Sequence, residues 1–583
     1  MTELLSAAQM RCIEQAAIDS GAVSGLELME RAGQGVVEAI FAQWPELAEP
    51  RGSNPAPVTQ SEPTSLEQSD TAGRALVLCG PGNNGGDGFV VARLLRDLGW
   101  AVEVAFYGTE EKLPPDARAN HARWLALGGQ ITARGDDAST LAELLGGASA
   151  QVDLMVDALF GTGLSRPLAD RFTVSAEDQG RLQRSGVRIV AVDVPSGLCA
   201  DSGRRLGPVA GSVTDTGSEA GRVTGHVTEL SSRTLLAAEL TVTFHSLKQG
   251  HVLAEGPALC GHVVVHDIGL SPAVLPGSLS HRALAAFHSE QGVARHLCMQ
   301  AQSLARSLSK QSDGHKFSHG HALVLTGGFG KTGAARLAAR AALRGGAGLV
   351  TLGVPPAAQM EVACQITALM MTRVGGSADL STVLGDARIN ALCLGPGLGQ
   401  DRARDLLPAA LGDPARAVVL DADALSAFAE DPEALFARLH DACVLTPHGG
   451  EFARLFPDLA ETLAAAPSQG PAYSKVDATR AAAARAGCTV LFKGSDTVIA
   501  APDGRCVVNA ASGGRLAPWL ATAGSGDVLA GLITGLLARG FAPFDAAETA
   551  AWLHLEAALS HGPGLIAEDL PEQVPQVLRQ LAL

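Results

Sequence analysis

The strongest constraint on this chain is a pattern repeated along it: a short apolar run, a polar turn carrying glycine, then a helical stretch. Residues 74–80 (RALVLCG) have the length and bounding residues of a buried strand. PGNNGGDG then reads as a turn and FVVARLLRDLG as a helix, before a second strand, AVEVAFY. The runs VDLMVDALF (152–160) and VRIVAVDVPSG (187–197) repeat this logic, and the strands ELTVTFH and HVVVHDIG follow. A second series starts at HALVLTGG (321–328). It continues through TGAARLAARAALRGGAGLVTLGV, ALCLGPGLG, AVVLDADAL, ACVLTPHGGE and TVLFKGSDTVIA. Strands alternating with helices predict an α/β protein whose mainly parallel sheets are covered on both faces.

A chain of 583 residues exceeds what one hydrophobic core organises, so the two series predict two domains, 1–285 and 319–583, joined by a connection over 286–318. The first opens with two helices over 1–45, with apolar positions at Met10, Ile13 and Ala17, then Leu26, Met29 and Val36. Residues 50–72, rich in Pro, Ser, Thr and Glu, and the hydrophilic stretch 203–232 read as disordered insertions. A net charge of −16 argues against a general nucleic-acid or anionic-membrane binder, yet leaves room for a local site for a small phosphate compound. The ten cysteines show no C-x-x-C pair and no zinc-like spacing, so reduced thiols are expected. The N-terminal stretch lacks the pattern of a secretion signal, and no run reaches the roughly 18 apolar residues of a membrane span. These features predict a soluble cytoplasmic protein.

In parallel sheets, ligands bind at the carboxyl ends of strands. Three polar turns fall at such ends in the first half: Pro81–Gly88, Asp157–Leu164 and Asp193–Gly197. The glycines of the first allow backbone N–H groups close to an anion, and the following helix start favours phosphate. Asp157 and Asp193 both end apolar strands, where an unpaired carboxylate is costly. Two of them beside Asn84 suggest an oxygen-lined cation or ligand site.

PGNNGGDG, DALFGTGL, AVDVPSGL and TVTFHSLKQG, with LMERAG at 28–33, resemble the motifs of the NAD(P)H-hydrate epimerase family over about residues 1–270. The resemblance implies a Rossmann-like three-layer α/β/α domain with a bound potassium ion held by Asn84, Asp157 and Ser196. It further implies that the hydrated dinucleotide contacts Asn83, Asn84, Gly85, Gly86 and Asp87, then Gly161, Thr162, Gly163, Leu164, Ser165, Arg166 and Pro167, and finally Asp193. In such a hydrate, carbon 6 of the reduced ring carries a hydroxyl beside the ring nitrogen. Nitrogen lone-pair push expels it, and return on the other face inverts the centre. A nearby acid–base group assists; Asp193 is the candidate, with Lys248 as helper or, alternatively, an ordinary surface charge.

In the second half, ATAGSGDVLAGLITGLLARG (521–540) runs small residues directly into a helix, so first-turn N–H groups can form an anion hole with Asp527 inside it. A carboxylate there can accept a hydroxyl proton while the helix end holds a phosphoryl group. The pattern resembles the ribokinase-like kinases. GPGLG, VLDADAL, LTPHGGEFARLF and LFKGSDTVIAAPDG narrow the resemblance to their NAD(P)H-hydrate dehydratase branch, over about 315–580. This implies a C-terminal ribokinase-like α/β domain that uses ADP, or ATP, to phosphorylate the 6-hydroxyl before phosphate is eliminated. By motif, Lys493, Gly494, Ser495, Asp496, Thr497 and Gly526 would bind the nucleotide. Ala334, Gly397, His448 and Asp527 would face the hydrate, with Asp527 as base and Glu451 positioning magnesium. For His448 the alternative is a loop histidine bonded to backbone.

Two positions depart from the family pattern: SGGRLAPWLA (512–521), with its bulky Trp519, and Lys331, where an aromatic residue is common. Together the halves imply metabolite repair of NADHX and NADPHX by a chain that often assembles into homo-oligomers. The alternative is a ribokinase-like small-molecule kinase fused to a non-catalytic binding module.

Overall fold

A computed structural model describes residues 2–48, 72–133, 141, 152–207, 233–270, 293–296, 308–310 and 314–581. The insertion expected at 50–72 lies outside them except for Ala72, as do 208–232 of the second insertion and most of the connection at 286–318. Two compact units emerge: Leu4–Glu290 with Ala466–Ala472, and Gln291–Ala465 with Tyr473–Leu583 and the first three residues.

The first unit is built on strands β1 (Arg74–Cys79), β2 (Ala101–Phe106), β3 (Ile131–Ala133), β4 (Leu154–Ala158), β5 (Arg188–Val192), β6 (Leu240–Phe244) and β7 (His262–His266). They lie in the order β7-β6-β5-β4-β1-β2-β3, with every neighbouring pair parallel. Alternate residues serve opposite faces. Leu76, Leu78, Met155, Ile189 and Ala191 pack with Leu182, while Val77, Cys79 and Ala158 meet the helix that follows β1. The helices are α1 (Ala7–Asp19), α2 (Gly25–Gln43), α3 (Asn83–Asp97), α4 (Pro115–Ala126) and α5 (Ala176–Ser185). α3 packs on β1 and β2 and against both α2 and α4. The two opening helices thus stand where periodicity puts them, with Met10, Ile13, Ala17, Met29 and Val36 buried.

One local expectation needs correction. Asn83–Gly88 is the first turn and a half of α3, whereas the sequence reads as a turn there. Its glycines make close packing possible rather than unusual dihedrals. A Cβ on Gly85 would sit 2.0 Å from the Gly80 carbonyl oxygen, and one on Gly88 would sit 2.8 Å from Ala158 and Cys79.

The second unit contains β8 (Ala294–His296), β9 (His321–Leu325), β10 (Leu349–Val354), β11 (Met370–Arg373), β12 (Ile389–Leu394), β13 (Ala417–Leu420), β14 (Cys443–Leu445), β15 (Thr489–Phe492), β16 (Asp496–Ala500) and β17 (Cys506–Ala510). Their order is β8-β17-β16-β15-β14-β13-β12-β9-β10-β11. The pairs β15–β16 and β16–β17 are antiparallel, so this sheet is mixed. The chain doubles back tightly at Lys493–Ser495, which the sequence shows only as one apolar run broken by KGS. β8 falls within the stretch expected to be connection, and pairs with β17.

Helices α6 (Gly333–Arg344), α7 (Gly449–Leu455), α8 (Lys475–Ala486), α9 (Ser525–Ala538), α10 (Pro543–His561) and α11 (Asp569–Gln580) complete the unit. Val324, Leu352, Ala391, Val419 and Leu491 form one core with α6, α9 and α10. The α/β expectation holds in both units. Among the described residues, no single helix is long and apolar enough to cross a membrane.

α9 and α6 approach closely because Gly531 and Gly535 face Ala338 and Ala342; an added Cβ would lie 2.1 and 2.4 Å from their carbonyl oxygens. Gly531→Ala is therefore expected to destabilise the second unit by about 1–3 kcal/mol despite better helix propensity. A lower denaturant midpoint for its unfolding transition checks this, and an unchanged midpoint would show that the helices have room to separate.

Candidate active sites

In the first unit, adjacent strands β6, β5, β4 and β1 bring their carboxyl ends to a cavity of about 580 Å³. α3 points its N-terminus there. Gly82 at the N-cap offers no side-chain cap, so the leading N–H groups of a fifteen-residue helix are left for an anion. Of the residues expected from sequence, Asn83, Asn84, Asp87, Gly161, Thr162, Gly163, Leu164, Ser165, Arg166 and Asp193 line the cavity. Gly85 and Gly86 instead pack against Gly80 and against Met29 and Ala117, and Pro167 lies against Gly207.

Asp193 follows β5 with φ of 66°, a left-handed conformation unusual for a side-chain-bearing residue. Its Oδ1 lies 3.0 Å from Lys248 Nζ and accepts from the Thr243 hydroxyl at 2.9 Å; its Oδ2 accepts from the Thr162 N–H at 3.1 Å. Lys248 is only 1% exposed and also donates to Thr243 Oγ1 and the Phe244 carbonyl. Burial pushes the Asp193 carboxyl upward, but Lys248 and the hydrogen bonds outweigh it and hold the group below the usual carboxylate range. His251 completes the cluster: Nδ1 accepts from the Lys248 N–H and Nε2 donates to the Asp193 carbonyl. One donating and one accepting nitrogen define neutral imidazole, in keeping with a pKa that burial and Lys248 lower to about 4.

Asp157, on β4 beneath the cavity, is buried. Its carboxylate accepts from the Ser196 hydroxyl (2.6 Å), the Ser196 N–H (2.9 Å) and the Leu159 N–H (3.2 Å). Burial raises its pKa despite these bonds. Asn84 Nδ2 is buried without a hydrogen-bond partner, and Asn84 Oδ1 faces Gly161. The donor set of carboxylate, hydroxyl and amide oxygen suits a hard cation, and a positive ion would relieve the buried charge of Asp157. The residues fit the potassium ion implied by sequence.

α1 supplies further lining that no motif signalled: Arg11, Glu14 and Ile18. Asp87 is half-buried in the cavity wall; loss of solvent first, then Asp193 and Glu14, raise its pKa well above the usual value.

In the second unit, the carboxyl ends of β12, β13, β14 and β15 are again neighbours. They present Gly397, Asp421, Thr446 and Lys493. Lys493 Nζ lies 2.7 Å from Asp421 Oδ1, which also accepts from the Thr446 hydroxyl at 2.8 Å. Burial lowers the Lys493 pKa, but Asp421 and Glu451 outweigh it and leave the group raised. Gly526 stands against Lys493: a Cβ there would be 3.4 Å from Nζ. Asp527 occupies the first turn of α9, whose N-cap Gly524 is left-handed at φ 91°. Burial, then Asp421 against the opposing pull of Lys493, and finally Asp423 and Glu451 bring its pKa to about 6. His554 Nε2 lies 2.9 Å from the Ser525 carbonyl and holds this turn. Between Asp421 and Asp423, Ala422 has φ of 46°. Asp423 accepts from the Gly399 N–H at 2.9 Å.

Ala334 and Gly397 adjoin, as expected for one wall of a site. His448 caps α7 by accepting from the Gly450 N–H at 3.0 Å, with its side chain 54% exposed. The backbone-bonded alternative raised for it is thus present in the structure, while its exposed edge stays available. Gly494 and Thr497 close the turn after β15 on each other. The Ser495 carbonyl accepts from the Ala511 N–H, and Asp496 binds Lys475 at 2.7 Å, so its carboxylate braces the turn. Glu451, expected to help position magnesium, is buried, accepts from the His448 N–H at 2.9 Å and lies 3.8 Å from Lys493. Among the described residues no three acidic, imidazole or thiol groups gather as a metal site. The departing segment 512–521 folds as two short turns that leave Trp519 51% exposed, with Arg515 tied to Glu556 at 2.6 Å.

The chain is similar to known proteins over both units. A family model described as "YjeF-related protein N-terminus" matches residues 25–250, and one described as "NAD(P)H-hydrate dehydratase" matches 322–574. A bifunctional NAD(P)H-hydrate repair enzyme of Moorella thermoacetica is 34% identical, over 99% of this chain and 97% of that protein. An NAD(P)H-hydrate epimerase of Roseobacter litoralis is 42% identical, over 46% of this chain and all of that protein. Among solved structures, the ADP/ATP-dependent NAD(P)H-hydrate dehydratase of Bacillus subtilis, co-crystallised with ATP and Mg2+, is 26% identical over 48% of this chain and 97% of its own, with a TM-score of 0.39. Matched almost end to end, and by one domain family in each half, the chain belongs to the bifunctional NAD(P)H-hydrate repair enzymes, with NAD(P)H-hydrate epimerase and NAD(P)H-hydrate dehydratase activities.

Proposed function

We propose that the first cavity inverts carbon 6 of NADHX and NADPHX, and that the second site removes water from the S epimer at the expense of ADP or ATP. The observation that carries this reading is the ionised Asp193, held by buried Lys248 at the wall of a cavity that a helix N-terminus also faces. In the first site, the α3 N-terminus binds the dinucleotide phosphates, and Asn83 with the Gly161–Arg166 turn brackets the rest. The C6 hydroxyl gains a proton and leaves as water while the ring nitrogen pair forms C6=N. When water returns and C6–O re-forms, Asp193 takes the proton it sheds. Asn84, Asp157 and Ser196 would hold potassium, whose charge would offset Asp157 and fix the turns around it.

In the second site, Asp527 accepts the proton of the 6-hydroxyl as its oxygen attacks the terminal phosphorus of the nucleotide. The O–P bond forms and the bond to the departing AMP, or ADP, breaks. Loss of phosphate from C6 with a proton from C5 then restores the dihydronicotinamide. Lys493, Gly526 and the 494–497 turn hold the nucleotide, while Ala334, Gly397 and His448 contact the hydrate. Magnesium would neutralise charge on the nucleotide phosphates. The boundaries 1–285 and 319–583, homo-oligomeric assembly and a cytoplasmic location complete the reading. Buried free thiols such as Cys79, Cys393 and Cys488 support a reducing compartment.

The direct test follows absorbance of the reduced-nicotinamide band in mixed-epimer NADHX with ADP, magnesium and potassium. Wild type is expected to recover the full signal, Asp193→Ala only the dehydratase-competent epimer beyond slow spontaneous exchange, and Asp527→Asn about 10²–10⁴-fold less per unit time. No recovery by folded wild type with ADP or ATP would overturn the reading. Asp527 must be ionised to act as base, so dehydratase kcat/KM should fall as pH drops through about 6; a flat acidic limb would remove Asp527 from that role. Exchange into potassium-free buffer should slow epimerisation and leave dehydration of the S epimer unchanged, with recovery on adding potassium back. Equal loss of both activities would count against a potassium site at Asp157.

A further inference from the structure

Inversion at C6 poses a problem that one carboxylate solves poorly. The hydroxyl leaves from one face of the ring and water returns on the other. Each face needs its own proton donor or acceptor. Asp193 reaches the cavity from the end of β5, and a second carboxyl in the lining, Glu14, reaches it from a different element, α1.

Arg11, Glu14 and Ile18, at spacings of three and four, form the stripe of α1 that lines the cavity, while Met10, Ile13 and Ala17 are buried in the core. α1 is firmly seated. Ser6 closes a capping box with Gln9, and the Ala7 N–H donates to Asp201 at 2.6 Å. Glu14 is therefore fixed by the helix, yet among the described residues its carboxyl makes no hydrogen bond and no ion pair. Half-buried in the cavity wall and uncommitted to any neighbour, the carboxyl is available to a ligand there. We propose that Glu14 is the second acid–base residue of the epimerase, acting on the C6 oxygen from α1 while Asp193 acts from the end of β5. This rests on the placement of epimerisation in the first cavity.

The surrounding charges fit that division of labour. Burial, offset by Lys248 but reinforced by Asp193, and only weakly countered by Arg11, brings the Glu14 pKa to about 7. Asp87 also lines the cavity, from α3; burial first, then Asp193 and Glu14, raise its pKa. Protonated Glu14 gives its proton to the hydroxyl oxygen as C6–O breaks, and the nitrogen lone pair forms C6=N. The departing water, or another, adds to the opposite face; C6–O re-forms, the pair returns to nitrogen, and the proton goes to Asp193. The reverse epimerisation runs the same steps backwards. Between turnovers the proton passes from Asp193 back to Glu14 through water in the cavity.

The experiment follows exchange of separated R and S NADHX by chromatography without nucleotide, corrected for spontaneous exchange. Glu14→Gln should lower kcat about 10²–10⁴-fold with KM little changed, while the same preparation dehydrates S-NADHX with ADP at the wild-type rate. Because Glu14 must be protonated to donate, wild-type epimerisation should fall as pH rises through about 7, and the variant should lose this alkaline limb. Glu14→Asp should restore part of the rate and keep an alkaline limb at a displaced pH. Wild-type kcat in Glu14→Gln, a loss confined to KM, or an unmoved limb in either variant would overturn the proposal. Asp193→Asn in the same assay separates the two ideas. Wild-type exchange there would sink the cavity as the site of epimerisation, whatever Glu14 does.

Discussion

Both candidate sites hold a carboxylate where water is scarce. Taking an aspartate out of solvent costs several kcal/mol unless a cation accompanies it, and removing one partner of such a pair is more damaging than never having built it. Each unit meets this constraint with a buried lysine: Lys248 at 3.0 Å from Asp193 and Lys493 at 2.7 Å from Asp421. Lys248 follows the strand next to that of Asp193, and Lys493 follows β15, two strands away from the β13 that precedes Asp421. Each pair therefore exists only when the sheet has assembled. The fold thereby ties its charge compensation to its topology.

Each pair has a second carboxyl beside it that receives less compensation. Glu14 stands near Asp193–Lys248 and Asp527 near Asp421–Lys493, and burial leaves them at about 7 and about 6. Environments that push neighbouring carboxyl groups apart in acidity create an acid and a base from one functional group. The two units arrive at this arrangement with different sheets, one wholly parallel and one mixed.

What the sequence discloses follows from how local each feature is. Buried strands, the α1 and α2 helices and the glycine-rich start of α9 are written in short windows, and they appear where expected. The carboxylates at strand ends were legible too, because a charge closing an apolar run stands out. The turn expected at Asn83–Gly88 is helix because tertiary packing against Gly80, Ala158 and Cys79 overrides the poor helix propensity of glycine. Glu14 and Arg11 look like ordinary solvent-facing positions of an amphipathic helix; only the docked helix turns that stripe into a cavity wall. His251 and His554 act through backbone carbonyls, which leaves no pattern of side-chain types to read. Asp496 shows the opposite case. It sits in a nucleotide-like KGSDT motif, yet its carboxylate is taken by Lys475, a partner that no local spacing announces.

The left-handed backbone at Asp193, and at Ala422 beside Asp421, has a consequence for how this chain can drift. A side-chain-bearing residue in that region costs roughly 1–2 kcal/mol, and glycine would relieve much of it. At position 193 the substitution that most eases the backbone also deletes the carboxylate. Selection for thermal robustness alone would therefore push this codon away from aspartate, and, on the proposed role of Asp193, continued exposure of the cell to hydrated cofactor holds it in place. The strain is a record of use: in a lineage that stopped needing repair, it is among the first features expected to erode.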